Sequence, residues 1–118
     1  MIAIRGATTI NEDNIDEVRE AAIELFNEII KENDIETKDI ISIIFSCTGD
    51  IKSTYPGKYI REHFELNKVA IMHFNEMDVN NSLKKCIRVM LHVNIDKNKE
   101  IKYIYLNNAK ILRQDLIN

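Results

Sequence analysis

Two arginines that interrupt apolar segments are the first residues of this sequence that could carry chemistry. Arg5 ends the apolar segment at residues 1–5, and Arg88 lies inside an alternating segment at residues 87–95. Each guanidinium group could simply reach solvent, from a strand end or from a solvated sheet face. Alternatively, both could line a wet cavity, where a permanent charge and a forked set of donors suit an anionic small ligand. The pattern alone leaves both interpretations open.

Two carboxylates, Glu76 and Asp78, follow an apolar segment and are separated by one residue. They could hold a metal ion or act as acid and base, but loop residues that cap a turn show the same pattern. The histidines lack the spacing of metal ligands; they are His63, His73 and His92. We therefore expect neither a metal site nor a cofactor.

Composition places the chain among ordinary globular proteins. It has 118 residues, which suits a single domain at residues 1–118, with 45% apolar and 30% charged side chains. A net charge of −3 and the absence of tryptophan argue against a nucleic-acid partner. The first residues turn polar too early for a signal peptide or a membrane span, and Cys47 and Cys86 lack the spacing of a disulfide framework. We therefore predict a soluble, cytoplasmic protein with no nucleic-acid or membrane partner.

The clearest predicted element is a long amphipathic helix that begins after Asn14. Asn14 is a favourable N-cap residue, and Asp16 and Glu17 occupy the first turn, where the helix dipole favours negative charge. A second, short helix is predicted to start at Pro56. Apolar residues recur at helical spacing for about five turns of the long helix: Ile15, Val18, Ala22, Leu25, Phe26, Ile29 and Ile30.

The other apolar segments predict roughly five strands. The strand predicted at residues 40–47 is apolar almost throughout and is expected to be buried on both faces. The alternating segment at residues 87–95 has one aliphatic face and one mixed face. Further strands are predicted at residues 1–5, 68–74 and 101–106. The chain is therefore predicted to be an α+β protein, and association with copies of itself is a natural way to cover an exposed sheet edge.

Three groups of residues carry a resemblance to a known family. They are Ile4-Arg5-Gly6-Ala7-Thr8-Thr9, then Glu76-Met77-Asp78-Val79 with Leu83-Lys84-Lys85-Cys86-Ile87-Arg88-Val89-Met90, and finally Tyr103-Ile104-Tyr105-Leu106 with Ala109 and Leu112-Arg113. In order and spacing they resemble the monofunctional Bacillus-type (AroH-type) chorismate mutases across nearly the whole chain. The resemblance implies a mixed sheet with the long helix on one side. It also implies a homotrimer whose sheets form a pseudo-α/β-barrel, with active sites between neighbouring subunits.

The same resemblance implies a reaction and residue roles. The chain would rearrange chorismate to prephenate, in phenylalanine and tyrosine biosynthesis, without a cofactor. By position, Arg5 and Tyr105 would hold the substrate's carboxylates and Arg88 would face its ether oxygen. Glu76 would accept a hydrogen bond from the ring hydroxyl. Other residues would bind substrate along the cleft or at its mouth, some of them from the adjacent subunit: Tyr55, Gly57, Lys58, Arg61, Ile71, Met72, His73, Leu112 and Arg113.

Two positions depart from the family pattern, and two other functions stay open. Tyr55 stands where the family often has Phe, and His73 stands where it often has Cys, next to the predicted contacts of Glu76. The same charged residues could serve a trimer that binds an anionic metabolite without turnover. They could also form ion pairs at the interface of a structural or regulatory trimer. An enzyme is the favoured hypothesis, because all four residues with predicted roles in the reaction are present.

Overall fold

The computed structural model describes residues 1–96 and 100–112 of the chain. This part of the chain contains two short 3-10 helices, at Thr37–Asp39 and Asn107–Ile111, together with two α-helices and five strands. In chain order these are β1 (Ile2–Thr9), α1 (Ile15–Glu32), β2 (Ile40–Cys47), α2 (Pro56–His63), β3 (Ala70–Asn75), β4 (Cys86–Val93) and β5 (Ile104–Tyr105). Neither of the described α-helices is long and apolar enough to cross a membrane.

The five strands form one mixed sheet in the order β3-β2-β4-β1-β5. The central strand β4 runs antiparallel to both of its neighbours, β1 and β2. Each edge strand runs parallel to the strand beside it, since β3 pairs with β2 and β5 pairs with β1. The predicted α+β fold is confirmed, and so is the mixed sheet with five strands.

Helix α1 begins where the sequence predicts, and hydrogen bonds explain both of its ends. The Asn14 side chain accepts a bond of 2.8 Å from the Glu17 backbone N–H, and the Glu17 carboxylate accepts bonds from the N–H groups of residues 11–12. At the other end, the buried Asn33 side chain donates to the Lys102 carbonyl at 2.9 Å and accepts from the Lys102 N–H at 2.7 Å. The end of the helix is thereby joined to the segment that precedes β5.

The core lies between α1 and one face of the sheet. Each fully buried aliphatic or aromatic side chain in it contributes roughly 1.5–3 kcal/mol to stability, so this layer supplies most of the driving force for folding. The buried side chains that face each other are Val18, Ala22, Leu25, Phe26 and Ile29 in α1, and Ile4, Ile43, Phe45, Ile87 and Leu91 in the sheet.

Three predicted strands differ clearly from the observed ones. The first strand extends to Thr9 and does not end at residue 5, because it pairs with β4 along its whole length. The last strand covers only Ile104–Tyr105 instead of residues 101–106, because the Lys102 backbone bonds to the Asn33 side chain and not to a neighbouring strand. The strand at residues 40–47 is not buried on both faces of the single chain. Ile41, at the register shift of the β2–β4 ladder, is 47% exposed, and Ser42, Ile44 and Ser46, which point away from α1, are only partly buried.

Candidate functional site

The register of the sheet brings several predicted site residues to one face. Ala7 pairs with Arg88 in the β1–β4 ladder and with Tyr105 in the β1–β5 ladder. Directly paired residues point to the same face, and every second residue along a strand returns to it, so Arg5 lies on this face too. Ile4, Ile87 and the rest of the core point the opposite way, toward α1. We call the side away from α1 the outer face.

Four predicted residues meet around a small cavity on the outer face. The cavity has a volume of about 110 Å³, and Ala7 also lines it, where its short side chain leaves space between the longer ones. The Arg5 guanidinium lies 5.5 Å from the centroid of the Tyr103 ring, an arrangement that stabilises the cation. Two permanent cations and a phenol suit a ligand with several anionic groups. We call this group the arginine patch: Arg5, Arg88, Tyr105 and Leu112.

Glu76 places a carboxylate near Arg88 from the β3 edge of the sheet. It follows the edge strand β3, and its backbone N–H donates to the Cys47 carbonyl at 2.8 Å. Its Oε1 accepts a hydrogen bond of 2.7 Å from the Ser46 hydroxyl, and its Oε2 lies 3.7 Å from Nη1 of Arg88. The ion pair is therefore longer than a hydrogen bond and partly exposed, so it holds the guanidinium only weakly. A ligand can still recruit Arg88 with little loss.

A larger cavity, of about 510 Å³, lies beside Glu76 and is also lined by Asp50 and Asp78. Asp50 connects the end of β2 to the start of β4, because its carboxylate accepts bonds from the Thr48 hydroxyl and the Lys85 backbone N–H. Within residues 1–96 and 100–112, no three His, Cys, Asp or Glu side chains are grouped so that they could hold a metal ion. In this region Asp50 therefore has a structural role.

A second set of predicted residues lies at the β3 edge of the sheet. A cavity of about 560 Å³ opens there, between the first turn of α2 and the end of β3, and Tyr55, Lys58 and His73 line it. Gly57 and Ile71 pack directly against the His73 side of this cavity. We call this group the edge wall: Tyr55, Gly57, Lys58, Ile71 and His73.

His73 holds the first turn of α2 against the sheet. Its Nε2 accepts a hydrogen bond of 2.9 Å from the Gly57 backbone N–H, and its ring stacks on Phe45 with centroids 5.3 Å apart. A Cβ atom on Gly57 would lie 2.7 Å from Cε1 of His73 and 2.8 Å from Ile71, so glycine is needed for this approach. Because Nε2 accepts a hydrogen bond, it carries no proton and the imidazole is neutral; burial favours the same neutral form by lowering the pKa of His73.

Besides Glu76, two described site residues belong to neither group, and one predicted residue is not described. The Arg61 guanidinium donates to the backbone carbonyls of Leu66 at 2.6 Å and Val69 at 2.9 Å, so it secures the connection from α2 to β3. Met72 lies on the outer face of β3 and is 57% exposed. Arg113 lies outside the described residues.

The arginine patch and the edge wall do not close around a common space within one chain. At the usual strand spacing, β3 lies about 14 Å from the Arg5 strand β1 and about 10 Å from the Arg88 strand β4. The patch also lies on the outer face, whereas Ile71 and His73 point to the side that carries the helices. A small ligand held by the patch therefore leaves the edge wall of the same chain out of reach.

Two residues that shape these regions have no pattern that distinguishes them in the sequence. Asp13 accepts bonds from the backbone N–H groups of Lys52 at 2.8 Å and Ser53 at 3.1 Å, so it anchors the loop that leads to Tyr55. Burial raises the pKa of Asp13, but these hydrogen bonds outweigh it and the pKa is lowered. The Ser46 hydroxyl donates to the Glu76 carboxylate, but Ser42 on the same strand has the same side chain, so the sequence does not distinguish Ser46.

Comparisons with known proteins point to one family. The family model described as chorismate mutase type I matches residues 1–116. A chorismate mutase AroH of Bacillus subtilis (strain 168) is 38% identical over 114 residues, which cover 96% of this chain and 90% of that protein. A chorismate mutase AroH of Thermus thermophilus is 31% identical over 115 residues, covering 96% and 93%. The solved structure of a chorismate mutase from Clostridium thermocellum has a TM-score of 0.90 and 45% identity, covering 95% of this chain and 100% of that one.

Proposed function

This chain belongs to the type I chorismate mutase family, and from that premise we propose that its active sites are shared between the subunits of a homotrimer. Its activity is the isomerisation of chorismate to prephenate. In this Claisen rearrangement one C–O bond breaks while one C–C bond forms within the same molecule. The side chains therefore have two tasks: to hold the dianion in its compact conformation and to stabilise charge on the ether oxygen.

The arginine patch has the groups for both tasks. Arg5 and the Tyr105 hydroxyl bind the two carboxylates of chorismate and restrict it to the reactive conformation. Arg88 donates to the ether oxygen, where negative charge grows as the C–O bond breaks. Its position on the central strand β4, with hydrogen-bonded neighbours on both sides, keeps this charge in place before the reaction begins.

Glu76 has a different task, because a carboxylate near the ether oxygen would oppose the developing charge. In our proposal it accepts a hydrogen bond from the ring hydroxyl of chorismate and so sets the orientation of the ring. The 3.7 Å separation from Arg88 supports this assignment, since neither group is committed to a short ion pair with the other. Arg88 then keeps its donors for the substrate.

A shared site follows from the separation of the two regions. One chain supplies the arginine patch with Glu76, and the next chain supplies the edge wall, including the Lys58 ammonium. Apolar side chains exposed on the outer face of β3, namely Met72 at 57% and Phe74 at 51%, support burial of this face against another subunit. Three single-domain subunits, each spanning residues 1–118, then complete the pseudo-barrel. We place the enzyme in the cytoplasm, and the free thiols of Cys47 and Cys86 agree with a reducing compartment.

Co-expression of two inactive variants tests the shared site. Arg88→Ala damages only the patch, and Lys58→Ala damages only the wall, so each homotrimer should lose at least about tenfold in kcat/KM. Any cyclic trimer that contains both variants has one junction at which an intact patch meets an intact wall, so about a third of its sites are intact. The rate is followed as loss of the ultraviolet absorbance of chorismate, on trimers purified through a different tag on each variant.

Recovery to about a third of the wild-type rate supports a site shared between subunits. A rate no higher than the mean of the two parent variants would show that each site lies within one chain. Full activity of Lys58→Ala alone would show that Lys58 does not contribute to the site. Wild-type protein that binds chorismate without consuming it would point instead to a binding protein.

A further inference from the structure

We infer that Ser46 is a positioning residue of the active site, whose hydroxyl orients the Glu76 carboxylate so that Arg88 stays available to the substrate. The inference rests on the role proposed for Glu76. Ser46 touches none of the reacting atoms in this account. It acts through the hydrogen bond of 2.7 Å that its Oγ donates to Oε1 of Glu76.

The position of Ser46 in the sheet makes it a rigid donor. β2 is paired on both sides, and Ser46 lies opposite Arg88 in the β2–β4 ladder and opposite Phe74 in the β2–β3 ladder. Because paired residues share a face, the Ser46 hydroxyl and the Arg88 side chain both point to the outer face. The Ser46 backbone is therefore held at a constant place relative to the Arg88 backbone, and its short side chain keeps the hydroxyl close to that place.

Glu76 needs such a donor, because it lies just beyond the end of an edge strand. Its backbone is attached to β2 by the bond from its N–H to the Cys47 carbonyl, but that bond does not orient the side chain. With Oε1 bound to Ser46, the Oε2 atom faces Arg88 at 3.7 Å. One oxygen is thus occupied, and the other remains available for the substrate hydroxyl.

Loss of the Ser46 hydroxyl changes how the Glu76 carboxylate interacts with Arg88. Without the Ser46 donor, the carboxylate can turn until both oxygens contact the Arg88 guanidinium, which is the preferred bidentate geometry of such a pair. Arg88 would then be neutralised by Glu76 and would stabilise the ether oxygen less. The effect falls on the chemical step, so kcat should fall while KM changes little.

The experiment compares Ser46→Ala with a matched control, Ser42→Ala, in the full-length enzyme. Ser42 lies on the same strand and the same face, and its hydroxyl also contacts a β4 side chain, at 3.1 Å from Nδ1 of His92. We expect Ser46→Ala to lower kcat by about tenfold, with KM within about twofold of wild type. Ser42→Ala should leave both constants within about twofold, and Ser46→Thr, which keeps a hydroxyl, should restore kcat.

A double-mutant cycle separates this role from a general structural one. In the Glu76→Ala background, Ser46→Ala should cause no further loss of kcat, because the group that it orients is gone. An equal loss in both backgrounds, or equal effects of Ser46→Ala and Ser42→Ala, would overturn the inference. A normal kcat in Glu76→Ala alone would instead refute the role proposed for Glu76, so the two failures are distinguishable.

Discussion

The arginine patch and the edge wall are built in different ways, although both contain predicted substrate-binding residues. The patch depends on backbone pairing among the central strands, since Ala7 fixes the neighbours Arg88 and Tyr105 through two ladders. The edge wall depends on side chains, chiefly on the bond from the Gly57 N–H to His73. The difference supports our proposal that the patch, with permanent charges on the central strands, carries the chemistry and that the wall shapes and closes the cleft.

The largest effect should come from the patch. In our proposal Arg88→Ala removes the charge that stabilises the ether oxygen, so kcat should fall by about 10²–10³-fold, while the proposed trimer should remain assembled. Steady-state kinetics and size-exclusion chromatography measure the two quantities. As a matched control, Arg19→Ala removes an arginine whose partner Asp16 lies on the exposed face of α1, and it should change kcat by less than about twofold. Near-normal kcat in Arg88→Ala would reverse our assignment of chemistry to the patch.

An intermediate effect is expected where the wall is most tightly packed. Alanine is normally better than glycine in a helix by roughly 0.5–1 kcal/mol. At Gly57, however, a Cβ would lie 2.7 Å from the His73 ring, which Phe45 prevents from moving away. Overpacking of this kind costs about 1–3 kcal/mol, so Gly57→Ala should lower the free energy of unfolding and raise KM several-fold.

Chemical denaturation and steady-state kinetics test this change. The control is Gly49→Ala, because a Cβ at Gly49 would meet no atom within 4 Å. If Gly57→Ala proved as stable as Gly49→Ala, with an unchanged KM, the close approach of α2 to β3 would have no energetic importance.

The smallest effect is expected from His73→Cys. His73 contributes a wall surface and a hydrogen-bond acceptor, not a charge, so kcat/KM at neutral pH should stay within about tenfold of wild type. A loss of kcat/KM as large as that of Arg88→Ala would indicate that His73 has a direct catalytic role. The chemistry would then not be confined to the arginine patch.

The same variant should also change the pH dependence of stability. Burial lowers the pKa of His73 below its ordinary value of 6.5, so the unfolded chain binds a proton more readily than the folded one. The stabilising contribution is full above pH 6.5 and is lost as the pH falls toward the lower, folded-state pKa. Below pH 6.5 the wild type should therefore lose stability faster than His73→Cys, by less than about 1 kcal/mol because the ring is partly exposed. If the free energies of unfolding of the two proteins fell equally between pH 7.5 and 5, the prediction would be wrong.

Several features of the fold could be predicted because they depend on short stretches of the chain. Helix α1 has a continuous apolar stripe and a good N-cap at Asn14, and β4 alternates strictly, so both were predicted from periodicity. The length of β5 could not be predicted, since it depends on hydrogen bonds between Lys102 and Asn33, which are 69 residues apart. The contacts of Arg61 also depend on a turn geometry that no periodicity reveals.

Residue order alone specifies the chemical groups of this enzyme: two arginines, a carboxylate and a tyrosine, each carried by a recognisable segment. Within one strand it also specifies which side chains share a face, because the pleat has a period of two. It does not specify how the strands are aligned, and a slip of one residue would turn Arg88 into the core. That alignment comes from long-range hydrogen bonds and from packing against α1. Only the folded sheet therefore places Ser46, Glu76 and Arg88 together and leaves His73 on the other side.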